Sequence, residues 1–123
     1  MKELTKAEEQ VMQIVWDLKE TNVRDAIACF PDPKPAYTTV ATVMNALVKK
    51  GFVNKIAQGK SHVFSVKIPK EDYSGYKAGA LVTNYFNGSF SRMASFFAKD
   101  NKLSIQELEE MIEIAKREIN KEK

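Results

Sequence analysis

Thr38, Thr39, Thr42 and Asn45 recur at steps of three and four, the spacing that gathers side chains on one face of a helix. Hydroxyls and an amide supply both donors and acceptors, which is the chemistry that reads base edges, and none of the four is acidic. Lys34 and Tyr37 stand near the start of the same helix and Lys49 near its end, while Lys55 and Lys60 follow on a predicted hairpin. These five suit phosphate oxygens, because they offer donors and, from the lysines, positive charge without a directional sequence code. The pattern predicts a nucleic-acid interface, with the first four residues on bases and the other five on phosphates.

Other chemistry is scarce. His62 is the only histidine, so it has no second imidazole with which to build a zinc site. Cys29 is the only cysteine, which excludes an intrachain disulfide and a multi-cysteine metal cluster. Beside Phe30 on a short amphipathic segment, Cys29 is expected to be a small buried hydrophobe. No Ser-His-Asp or Cys-His spacing and no phosphate-cradling glycine loop is present. The reading is therefore a protein that is not an enzyme and needs no metal or cofactor. A catalyst working through Cys29 is the distant rival, and it would require rapid thiol alkylation.

The elements that must position these residues are legible from periodicity. Thr5-Lys6-Ala7-Glu8 is a capping box, and Val11, Ile14, Val15 and Leu18 with Trp16 form the apolar face of a first helix. Thr21 and Asn22 open a second, short helix with Val23, Ala26, Ile27 and Phe30, ended by Pro31-Asp32-Pro33. Pro35 starts a third, whose stripe is Val40, Val43, Met44, Leu47 and Val48, closed by Gly51. The period then shifts to that of strands. Phe52–Ala57 and His62–Ile68 are rich in β-branched and aromatic residues, and Gln58-Gly59-Lys60-Ser61 makes the turn. Three helices followed by a hairpin is the order of a winged helix-turn-helix. Beyond Pro69, a helical stretch from Glu71 to Phe97 is broken at Asn87-Gly88-Ser89, and Ser104-Ile105-Gln106-Glu107 caps a last helix.

Charge distribution supports the interface. The chain has 123 residues and a formal net charge of +3, but residues 34–67 carry six lysines and no acid. A surface facing a polyanion would look like this. Hydrophobic residues at 44% and charged residues at 28% fit a folded globular chain. The longest uncharged runs, Pro35–Val48 and Ala78–Ser91, are 14 residues each, too short to span a membrane. The acidic start lacks the apolar core of a signal peptide, and the expectation is a soluble, cytoplasmic protein without membrane insertion. In the last third, Tyr73, Tyr76, Leu81, Tyr85, Phe86, Phe90, Met93, Phe96 and Phe97 exceed what two or three helices can enclose. A second copy of the chain is the expected cover, through Phe86, Phe90, Met93, Leu108, Ile112 and Ile119. The competing expectation is that these side chains pack back on the first domain.

Leu4-Thr5-Lys6-Ala7-Glu8-Glu9-Gln10-Val11-Met12 with Trp16, then Lys34-Pro35-Ala36-Tyr37-Thr38-Thr39-Val40, then Leu47 to Gly51, closely resemble the penicillinase-repressor family (BlaI/MecI/CopY). Phe86-Asn87-Gly88-Ser89 and Leu103-Ser104-Ile105-Gln106-Glu107-Leu108 resemble its C-terminal region. The resemblance implies a homodimeric transcriptional repressor, with a winged helix on double-stranded palindromic operator DNA and C-terminal helices forming the dimer. It also implies control of a β-lactam-resistance or related stress operon. Copper-responsive members carry a C-terminal cysteine cluster, which this chain lacks, so copper sensing of that kind is not expected. β-Lactam-responsive members are released when a sensor-linked protease pathway cuts an Asn-Phe bond; here Phe96 stands at the Asn position, and the implied cut lies between Phe96 and Phe97.

The sequence thus predicts an α+β, mainly α chain. Residues 1–69 form a winged-helix DNA-binding domain and residues 70–123 a helical dimerisation region. The alternative is a winged helix used as a protein-interaction module, its basic face binding an acidic partner.

Overall fold

The computed structural model describes residues 1–121. Helix α1 spans Lys6–Leu18, strand β1 Glu20–Thr21, α2 Val23–Ala28, α3 Tyr37–Lys49, β2 Val53–Gln58, β3 Ser61–Val66, α4 Lys70–Tyr85, α5 Phe90–Lys99 and α6 Ile105–Lys121. The strands form one antiparallel sheet in the order β1-β3-β2. This is the winged helix-turn-helix expected, followed by C-terminal helices. Contacts divide the chain into two compact units, Met1–Tyr76 and Lys77–Lys123.

In the first unit the capping box forms as the residues dictate: Thr5 N–H donates to Glu8 Oε1 at 2.8 Å and Glu8 N–H donates to Thr5 Oγ1 at 3.2 Å. The stripes of α1 and α3 then meet, burying Val11, Met12, Val15 and Trp16 against Val40, Met44 and Leu47, with Phe52, Val53 and Phe64 from the sheet. Leu18, predicted on the apolar face, is exposed, because Lys19 at φ +69° ends α1 and turns the chain into β1. That two-residue strand pairs Glu20 with Ser65 and Thr21 with Phe64, an addition the sequence did not announce.

Two aromatics expected to need a partner copy are already covered. Tyr73 is buried among Trp16, Phe52 and Tyr76, and its hydroxyl accepts from Leu4 N–H at 2.9 Å. Tyr76 is partly buried against the same core. For these two, packing back on the first domain is the observed outcome. Cys29 also departs from expectation. It is exposed at the C-cap of α2, whose inward residues are Val23 and Ala26, and its thiol donates to Asp25 O at 3.6 Å.

Glu8 is a buried carboxylate, and Lys50 Nζ is its ion-pair partner while also donating to Glu3 O at 3.1 Å. Burial raises the Glu8 pKa, but the Lys50 hydrogen bond and charge, together with the two Thr5 hydrogen bonds, hold it below its ordinary value. A depressed carboxyl stabilises the fold above its unfolded pKa, and that contribution is lost as pH falls through the folded value. Glu8→Gln is expected to cost about 1–2 kcal/mol at neutral pH, discounted for the partly exposed Lys50. The gap to the parent should close in acid, below the unfolded carboxyl value of about 4.3. Urea melts across that range check it, and a gap independent of pH would assign the loss to something other than the Glu8 charge.

In the second unit, α4 ends where Asn87 and Gly88 adopt φ +52° and +76°, and Ser89 caps α5 by accepting from Arg92 N–H. Ser104 Oγ accepts from Glu107 N–H at the start of α6, matching the predicted cap. Val82 is buried, but α5 and α6 bury no side chain fully. Among the described residues, no helix is long and apolar enough to cross a membrane.

Candidate nucleic-acid interface

Helix α3 turns its apolar stripe inward, so its opposite side is open. Thr38, Thr39, Thr42, Asn45 and Lys49 are all exposed, as is Tyr37. Steps of four, three and four from Thr38 through Thr42 and Asn45 to Lys49 keep these side chains in one row, with Thr39 one position around. Thr42 Oγ1 donates to Thr38 O at 2.8 Å, which spends the hydroxyl proton and leaves its lone pairs outward. Thr42 is therefore better placed to accept than to donate.

The hairpin supplies the second wall. Register pairs Gln58 with Ser61, leaving Gly59 and Lys60 as a two-residue turn in which Gly59 takes φ +64°. Lys60 lies at the tip and is exposed. Lys55 lies directly opposite Phe64, with its ammonium 5.9 Å from that ring's centre, and donates to Asn45 Oδ1 at 2.9 Å. Strand β2 is thereby tied to α3 through side chains as well as through the core.

Between α2, α3 and the hairpin opens a groove of about 600 Å³. Tyr37, Asn45, Lys55 and Lys60 all line it, so four of the residues predicted to bind nucleic acid converge on one space. Arg24 and His62 line it as well, and neither was singled out as a site residue from the sequence. Arg24 lies in the acid-rich first third of the chain, outside the lysine-only segment. The available signal was its position two residues after the cap Asn22, on the side of α2 opposite Val23 and Ala26. Asp25 is the one carboxylate among the lining residues, against the cations of Arg24, Lys55 and Lys60.

Lys34 is placed differently from the others. Its ammonium donates to Ala28 O at 3.2 Å and Phe30 O at 2.7 Å, so it caps the end of α2 and keeps only one proton to offer elsewhere. Lys50, in the same acid-free segment, is committed to Glu8.

The remaining predicted residues lie in the second unit. Phe90, Ile112 and Ile119 are exposed, while Phe86, Met93 and Leu108 are half-buried. Phe96 is exposed and Phe97 half-buried, their rings edge to face at 5.5 Å, and the bond between them lies inside α5.

Comparison with known proteins relates most of the chain to one family. The family model described as "Penicillinase repressor" matches residues 4–117. The chain is 25% identical over 122 residues to the penicillinase repressor of Bacillus licheniformis, covering 98% of this chain and 95% of that one. It is 26% identical over 112 residues to the methicillin resistance regulatory protein MecI of Staphylococcus aureus strain N315, covering 89% of each. The solution structure of the DNA-binding domain of the repressor BlaI is similar in fold, with a TM-score of 0.50 and 27% identity, covering 59% of this chain and 94% of that one.

Proposed function

The chain belongs to the penicillinase-repressor family, and from that premise we propose that it is a sequence-specific, DNA-binding transcriptional repressor of the cytoplasm, acting as a homodimer on a palindromic operator. It is a regulator rather than an enzyme. The observation that carries the reading is the groove in which Tyr37 and Asn45 of α3, the hairpin's Lys55 and Lys60, and Arg24 converge, beside an exposed row of α3, Thr38, Thr39, Thr42 and Lys49, that lies outside its lining and carries no acid. Thr38, Thr39, Thr42 and Asn45 read base edges in the major groove, and Tyr37, Lys49, Lys55 and Lys60 hold phosphates, with Lys34 contributing charge from the end of α2. The winged-helix head is followed by a helical dimerisation region.

Helix α6 supports the dimer. Ile105, Leu108, Ile112, Ala115 and Ile119 alternate steps of three and four, the seam that pairs helices. Its first half holds Glu107, Glu109, Glu110 and Glu113 with no cation, and its second Lys116, Arg117 and Lys121 against the single acid Glu118. Two copies running antiparallel would set each acidic half beside the other's basic half. Release by cutting between Phe96 and Phe97 would sever α6 from the head, and because that bond is helical the protease must first unwind α5 locally. The regulated genes, on this reading, are a β-lactam-resistance or related stress operon.

The test is selection of bound duplex from a random pool, followed by titration of the selected site at several salt concentrations. A palindromic site and a steep inverse dependence on salt are expected. Lys60→Ala should weaken all sequences similarly and reduce the log–log salt slope by about one. A parental slope would take Lys60 off the phosphate, and binding to an acidic protein with no selected duplex would replace the reading.

A further inference from the structure

Among the described residues, Asn45 is the one on the outer face of α3 whose side chain is hydrogen-bonded by a side chain of another element. A free asparagine amide can meet adenine with both ends at once, its oxygen accepting from N6 and its nitrogen donating to N7. Here the oxygen is already engaged. Lys55 Nζ lies 2.9 Å from Asn45 Oδ1, and because an ammonium has no acceptor, the amide edge facing it must be the oxygen. The amide nitrogen, with its two protons, takes no part in that contact.

Lys55 and Asn45 are both exposed, and a second contact bears on where the lysine rests. Strand register sets Lys55 opposite Phe64, Phe64 is buried, and the ammonium sits 5.9 Å from the centre of its ring. A fixed aromatic face on one side and an amide oxygen on the other define where the charge rests. The groove between α3 and the hairpin contains this pair and Lys60.

We propose that Lys55 is a specificity-determining positioning residue, which holds Asn45 as a hydrogen-bond donor and so makes that position of the operator select guanine over adenine. Guanine presents two acceptors, N7 and O6, in the major groove. The amide protons satisfy one and the neighbouring ammonium adds attraction to both. Adenine presents an amino group at N6. The amide oxygen retains a second lone pair, but an amino group approaching it stands beside the ammonium, donor against donor. Base choice therefore belongs to the Asn45–Lys55 pair rather than to Asn45 alone.

The inference rests on the proposed reading of α3 as the base-contacting helix, and its test separates the two. The full-length chain, Asn45→Ala, Lys55→Met and Lys55→Arg are each titrated with duplexes carrying every base at each position of the selected site. For the parent, one symmetric pair of positions should prefer guanine. Asn45→Ala should relax that preference. Lys55→Met, which keeps the stem and frees the amide oxygen, should shift the guanine-to-adenine ratio toward adenine by about tenfold at that position, within the range one bidentate contact discriminates. Lys55→Arg, still a donor only, should retain guanine. If Lys55→Met weakens every duplex equally with the ratio unchanged, Lys55 is only a phosphate contact and the inference falls while base reading by α3 stands. If Asn45→Ala leaves the preference at every position unchanged, base reading by Asn45 falls and the inference falls with it.

Discussion

A fragment ending at Tyr76 is expected to bind the palindromic site about 10²- to 10⁴-fold more weakly than the full chain at the same salt, while its contacts to a single half-site are unchanged. In the proposed dimer two heads make the second half-site an intramolecular encounter, and losing the tether removes that advantage without touching a DNA contact. The cut belongs after Tyr76 rather than at Pro69, because Tyr73 and Tyr76 complete the core of the first unit. Sedimentation should find the fragment monomeric at micromolar concentration. In the full chain, Ile112→Glu sets a carboxylate in the apolar seam of α6, where it should separate the protomers and reproduce the weakened binding. A fragment that is still dimeric would place the interface in the head. A monomeric full-length chain that binds the palindrome tightly would remove the tethering argument. Cleavage between Phe96 and Phe97 should act as the truncation does, since it detaches α6.

What the sequence disclosed and what it withheld divide along the range of the interactions involved. The capping box at Thr5 and Glu8, the stripe from Val40 to Val48 and the positive φ at Gly51 and Gly59 are local, and each was readable from neighbouring residues. So was the exposed row from Thr38 to Lys49, which is the complement of that stripe. Strand β1 was not, because two residues cannot show an alternation; it exists only because β3 presents an edge to the chain leaving α1. Lys34 read as a free cation, yet the carbonyls at the end of α2 lie within its reach once the Pro31–Pro33 turn folds back. The Asn45–Lys55 hydrogen bond needs α3 and β2 to be packed in a particular register, which no spacing within either segment encodes. Cys29 was misplaced because adjacency to Phe30 says nothing about which way the residue capping a six-residue helix is turned.

Tyr73 is where the same difficulty has its largest energetic consequence. Substitution by alanine is expected to destabilise the first unit by about 3–5 kcal/mol, a large share of the roughly 5–15 kcal/mol that holds a small domain together. The ring is 3% exposed and packs edge to face on Phe52 at 5.3 Å, with Trp16 and Tyr76 each at 5.9 Å, so truncation opens a cavity among three aromatics. It also strips a hydrogen bond, because the hydroxyl is the acceptor for Leu4 N–H in a buried setting. Tyr73→Phe isolates that second contribution and should cost about 1–2 kcal/mol through the stranded amide. Trp16 ties the neighbouring chain to the same place by donating from Nε1 to Ile68 O at 2.9 Å, so the start of α4 is fixed from two sides. Denaturant melts of the fragment ending at Tyr76 measure both variants away from any effect on association. Losses below about 1 kcal/mol for Tyr73→Ala would mean that α4 does not dock on this core in solution. A loss in the expected range, with DNA affinity per folded molecule unchanged, would identify Tyr73 as a support of the head that takes no part in recognition.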